Sequence, residues 1–179
     1  MVHTTLANLK IPNHFTKELK LTNYKFYFFT LVFSIGNIAL PMLCHQFNLA
    51  GNRFLPIYFF ILIAGYLYGW RMGLLTAILS PLFSYLLTGM PVISMLTMGL
   101  IKGSALGIVA GLIGNKYKKI SLINIGIIII LYQSIGLLFA SITKGNLNFM
   151  ASDFVIGFPG LLIQLFGGFL VLKFLSKHL

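Results

Sequence analysis

Acid is what this chain lacks. Of its 179 residues only Glu18 and Asp153 are acidic, against 13 lysines and arginines, and charged residues amount to 8% of the whole. A soluble domain clothes itself in charge, with about a quarter of its residues ionised. A chain that is 58% apolar does not, and a water-soluble enzyme domain is excluded. Cysteine is scarce too: Cys44 stands alone, which excludes an internal disulfide and a cysteine-based metal cluster. No second histidine lies at ligand spacing from His45, so no metal site is expected. The apolar stretches hold no Ser/His, Asp/Asp or HExxH arrangement, which argues against an intramembrane hydrolase. They hold no acid to relay protons and no phosphate-cradling glycine loop. Self-driven proton coupling and ATP hydrolysis are therefore not expected of this chain, nor is a cofactor.

What is present is apolar sequence in long runs, with a mean hydropathy of +0.95. A membrane crossing takes about 20 apolar residues, and the runs predict an all-α bundle of six transmembrane helices forming one membrane domain, 1–179. The spans are expected near Tyr24–Leu43, Phe54–Trp70, Gly73–Thr88, Val92–Gly114, Ser121–Ile142 and Phe154–Phe174. The second and third are short and joined by a tight turn at Trp70–Met72, because about 35 apolar residues is too many for one crossing. Pro56 and Pro91 suit helix starts, Pro41 is expected to close the first span, and Pro81 and Pro159 fall inside helices. Residues 1–23 are polar and mixed, and read as a cytoplasmic tail without a cleavable signal.

Charge sets the orientation. Six crossings leave Lys10, Lys17, Lys20, Lys25, Arg71, Lys116, Lys118, Lys119, Lys173 and Lys177 on one side, with Arg53 and Lys144 on the other. The positive-inside rule makes the first side, with both termini, cytoplasmic. The basic excess then faces anionic lipid, and nucleic acid is not an expected partner.

Two glycine ladders run at a spacing of four: Gly65, Gly69, Gly73, and Gly99, Gly103, Gly107, Gly111. Small residues at this spacing let helix backbones approach in lipid. The ladders serve either internal packing or the docking of another membrane protein.

One lysine, Lys102, falls in the middle of a span, Val92–Gly114. A buried ammonium is costly in hydrocarbon, and such a residue is a functional-site hypothesis. As no span carries an acid, an anionic ligand is the expected charge partner. Lys102, Gln133 and Gln164 each lie about ten residues from the outer end of their spans, hence about 15 Å deep. Asn37 is expected somewhat higher, near Ser84 and Tyr85. Arg53 and His45 belong to the first outer loop, Pro41–Arg53, and Thr143–Asp153 to a second. This layer reads as a ligand pocket open to the outside, with Lys102, Gln133, Gln164, Asn37, Arg53, His45 and Tyr85 as candidate substrate-binding residues. The alternative is structural, with glutamines bonding across helices and the lysine snorkelling.

The run Phe54-Leu-Pro-Ile-Tyr58, with Ala64-Gly65, Gly69, Gly73-Leu-Leu, Ser80-Pro81-Leu and Leu87-Thr-Gly-Met-Pro91, resembles an S component of an energy-coupling factor (ECF) transporter. The resemblance implies a vitamin-binding membrane subunit in a bacterial cell membrane, working with a transmembrane coupling (T) subunit and two cytoplasmic ATPases. It implies a ligand near the outer face, held by spans four to six and the first outer loop. Many members carry an Ala-xxx-Ala pair in span one. Here Phe33–Leu40 reads FSIGNIAL, with Ser34, Gly36 and Ala39 as its small residues. Lys102 suggests a carboxylate such as pantothenate, lipoate, biotin or a folate, and the TGMP segment resembles the pantothenate branch. Tyr58, Tyr85, Tyr132, Phe158 and Trp70 could instead stack a neutral ring. From a different class, a non-catalytic membrane scaffold of a cell-shape complex needs no ligand.

Overall fold

The computed structural model describes residue 19 and residues 21–46, 58–89, 92–144 and 147–178. Every element among them is helical: α1 (Tyr24–Gln46), α2 (Phe59–Tyr68), α3 (Trp70–Thr88), α4 (Ile93–Tyr117), α5 (Leu122–Lys144), α6 (Leu147–Leu162), a π-helical turn (Ile163–Gly167) and α7 (Gly168–His178). Five stretches are long and apolar enough to cross a membrane: Tyr24–Leu43, Trp70–Thr88, Met95–Tyr117, Leu122–Thr143 and Val155–Lys177. Large apolar side chains project outward along them, Tyr24, Leu86, Leu87, Ile123, Ile142 and Val155 each being at least 70% exposed. Water would not tolerate so much contiguous apolar surface, but lipid does. The chain is a multi-pass membrane protein by this measure.

α2 is the exception. Its ten residues reach about 15 Å, half a hydrocarbon layer. The expected span Phe54–Trp70 is thus seen only in its later part, its first residues lying outside the described ones. Residues 61–68 of α2 are all buried. A helix apolar on every side belongs in the interior, and α2 packs against α1, α3, α4 and α7.

Several expected boundaries move. The turn after α2 falls at Gly69, ahead of Trp70–Met72, because Gly69 adopts φ 96° and ψ 166°, a conformation open essentially to glycine alone. α3 therefore starts at Trp70. Pro41 lies within α1, which runs on to Gln46; a proline inside a helix costs one hydrogen bond without always ending it. Most of the expected second outer loop is helical as well, α5 reaching Lys144 and α6 starting at Leu147. Hydropathy reports where the apolar layer ends, whereas backbone hydrogen bonding carries a helix beyond it. Asn23 caps α1, its Oδ1 accepting from the Lys25 N–H at 3.0 Å.

The two glycine ladders close on each other. The break at Gly69 doubles the chain back and brings Gly65 and Gly73 together: a Cβ at Gly73 would stand 2.8 Å from Gly65 Cα and 2.6 Å from the Gly107 carbonyl oxygen. A Cβ at Gly65 would meet that same oxygen at 2.7 Å. Further along α4, Gly103 faces Ile61 and Ala77, and Gly111 rests on the backbone of Gly69 and Trp70. This is helix association by backbone contact, as expected where lipid removes any hydrophobic drive between helices. Among the described residues Gly99 does not share in it, the nearest atom to its would-be Cβ being the Tyr58 hydroxyl at 4.0 Å.

Candidate ligand-binding site

α5 carries the candidate site. Its neighbours are α4 on one flank and the α6–π–α7 run on the other. From α4, the stem of Lys102 lies across Gly136, whose added Cβ would stand 2.7 Å from Lys102 Cγ. From the π turn, Gln164 Oε1 accepts a hydrogen bond of 2.9 Å from the Tyr132 hydroxyl. Residues 132 and 136 are one helical turn apart, on the same face and about 6 Å along the axis. Lys102 and Gln164 therefore meet α5 at adjacent turns, with Gln133 between them in sequence. All three expected residues are buried: Lys102 and Gln133 are 6% exposed and Gln164 1%.

The backbone explains how Gln164 comes to point inward. Pro159 sits inside α6 and supplies no N–H to its preceding turn. Four residues later the helix widens into the π turn, a local feature often found at functional sites. Gln164 Nε2 is buried there with no hydrogen-bond partner among the described residues. Such a group costs about 1–3 kcal/mol. The Tyr58 ring lies over Tyr132, 5.9 Å between centroids and tilted by 39°, so an aromatic wall adjoins the amide.

Asn37 belongs elsewhere. It is fully buried in α1 and bridges three helices. Its Nδ2 donates to Ser80 Oγ of α3 at 3.0 Å, and its Oδ1 accepts from the Phe60 N–H of α2 at 3.1 Å. The second bond satisfies one of the open N–H groups of the first turn of α2. Asn37 thus works as an internal cap, one turn below the expected level of Ser84 and Tyr85. Ser80 passes a hydrogen bond of 2.6 Å to the Thr76 carbonyl, and Ser34 and Thr76, also fully buried, line the same α1–α3 seam. Tyr85 stands half-buried in the last turn of α3. The side chain of His45 and all of Arg53 lie outside the described residues.

Sequence reasoning missed Gly136, which belongs to no ladder, and the hydrogen-bonding role of Tyr132, expected only as a stacking ring. It also missed the pin at the other end of the bundle. There the Tyr66 hydroxyl donates to the Lys119 carbonyl at 2.7 Å, and Asn124 Nδ2 donates to the same carbonyl at 2.9 Å. That pair fixes the turn between α4 and α5, where Lys118 takes φ 46°. No group of three or more histidine, cysteine or acidic residues suited to a metal occurs among the described residues.

Comparison with profiles of known protein families, with curated proteins and with solved structures finds no match to this chain.

Proposed function

We propose that this chain captures a small, carboxylate-bearing micronutrient within the membrane, as the substrate-binding subunit of an ECF-type vitamin importer. The observation that carries the proposal is that Lys102 and Gln164 meet α5 at adjacent turns, with Gln133 between those turns in sequence, and that all three are buried. Polar groups at this depth are expensive, and where they gather they mark ligand or ion sites more often than simple glue. The chemistry suits a vitamin acid. The Lys102 ammonium binds a carboxylate, the Gln164 and Gln133 amides take carbonyl and hydroxyl groups, and the Tyr58–Tyr132 wall covers an apolar body. Pantothenate is the preferred member of the class, on the resemblance of the TGMP segment.

The subunit performs no chemistry of its own in this reading. Energy comes from two cytoplasmic ATPases acting through a T subunit, and the site lies in a bacterial plasma membrane with both termini inside. The packing of Gly111 on Trp70 sets Arg71 at the same end of the bundle as the exposed Lys116–Lys119 turn, which supports that orientation.

The second reading, a ligand-free scaffold, draws on Asn37 and the inward-turned ladders, which show polar and small residues meeting purely internal needs. Native mass spectrometry of the detergent-purified protein separates the two. A retained vitamin acid in the wild type, lost in a folded Lys102→Met variant, supports capture. Equal retention in the variant removes Lys102 from the site, and a wild type that binds no vitamin from a supplied panel favours the scaffold.

A further inference from the structure

Of the two glycines of α5, Gly126 meets only Leu165 Cδ1 among the described residues, at an ordinary 4.0 Å, whereas Gly136 is pressed by a side chain of α4. The three atoms nearest to its would-be Cβ all belong to Lys102: Cγ at 2.7 Å, Cδ at 3.0 Å and Cε closer still. Real Cβ atoms essentially never come within 3.0 Å of another heavy atom, so even alanine at 136 forces Lys102 to move. The kind of movement follows from which atoms clash. A clash at Cε alone would be relieved by bending the far end of a flexible chain. Cγ, however, is fixed by χ1, whose allowed wells lie about 120° apart. A side chain at 136 therefore drives the whole stem into another well and takes the ammonium with it.

We propose that Gly136 is the positioning residue for Lys102, its bare backbone forming the seat that delivers the ammonium to one fixed point of the pocket. The recognition this permits is specific: the charged end of a carboxylate ligand is held, and the neutral ester of the same molecule is not. The proposal deepens the capture reading, and its recognition half rests on it.

Four proteins test it: the wild type, Gly136→Ala, Lys102→Ala and the double variant. The first measurement is thermal unfolding in detergent. Gly136→Ala lowers the unfolding temperature of the wild type but leaves unchanged or raises that of Lys102→Ala, where no Cγ remains to clash and alanine is the better helix former. An equal loss in both backgrounds overturns the seat. Should Gly136→Ala fail to fold, a folded double variant supports the seat, and an unfolded double variant overturns it. The second measurement is binding of pantothenate, biotin and lipoate, each beside its methyl ester. The wild type prefers at least one acid over its ester by about ten- to a hundredfold, the worth of one charge-assisted hydrogen bond. Gly136→Ala loses that preference while retaining the ester. Preference preserved in Gly136→Ala overturns the positioning role. Thermal coupling with no acid bound by the wild type, folate and its ester being tried beside the other three, leaves the seat standing and overturns the recognition half, and with it the capture reading.

Discussion

α4 divides the protein into two regions built on opposite principles. On one side Gly103, Gly107 and Gly111 bring its backbone against α2 and α3, with hardly any side chain between. On the other side Lys102, next in sequence to Gly103, extends a full side chain across Gly136 of α5. Adjacent residues of a helix point about 100° apart, so one turn of α4 serves both. The first region gains from contact area. The second sets charged and amide groups between helices, where each costs free energy unless something meets it. The contrast teaches that backbone contact alone accounts for the glycine side, whereas the α4–α5–α6 side is the one on which the capture reading rests.

The strongest way to break this comparison is to push the packed side apart. A side chain at Gly107 would run into the backbone of Gly73 and stand 2.9 Å from Leu74 N, and backbone cannot step aside as a flexible side chain does. Gly107→Leu is expected to cost about 3 kcal/mol or more, as overpacking a rigid core does. The checks are folded yield and unfolding temperature in detergent. A folded, stable Gly107→Leu protein would mean that the glycine node is looser than its distances state.

Asn37 tests whether every buried polar group belongs to the side proposed for capture. Asn37→Leu strands the Phe60 N–H and takes the partner from Ser80, at an expected cost of about 1–3 kcal/mol. Stability should fall while the retained ligand, measured by native mass spectrometry, stays. Loss of ligand at unchanged stability would move Asn37 into the pocket and blur the division between the regions.

The sequence disclosed these regions unevenly, for physical reasons. Ladder spacing is a periodic signal, and the order of the residues alone displays it. That the ladders face each other is hidden in that order, because it depends on the reversal at Gly69, whose φ of 96° reads in sequence as one more rung. Counting residues from the span ends set Lys102, Gln133 and Gln164 at one expected depth, since rise per residue is constant along a helix; the structure buries all three and brings Lys102 and Gln164 to adjacent turns of α5. The same count missed the partner of Asn37 by a turn, because it fixes height and says nothing of rotation. Gly136 left no signal at all: a lone glycine in an apolar run shows its purpose only once the side chain lying on it is seen. Arg53 and the side chain of His45 lie outside the described residues, so the loop part of the expected site stands on sequence alone.

Gly99 sharpens the comparison most finely, since it belongs to the ladder by spacing and to neither region by contact. It lies one turn before Gly103, yet among the described residues a Cβ there would find only the Tyr58 hydroxyl, at 4.0 Å, an ordinary van der Waals distance that displaces nothing. Gly99→Ala is therefore expected to change stability by no more than about 0.5 kcal/mol against the fold, or to raise it slightly as alanine restricts the unfolded chain. Unfolding temperature, read beside that of Gly107→Leu, is the check. If the two variants suffered alike, the spacing of the ladder, and not the contacts of each rung, would govern packing, and the boundary between the regions would shift outward by a turn. If Gly99→Ala is silent in stability but alters ligand retention, the reason is at hand. The Tyr58 hydroxyl near Gly99 belongs to the ring lying over Tyr132, so the top of the ladder would then be part of the pocket wall.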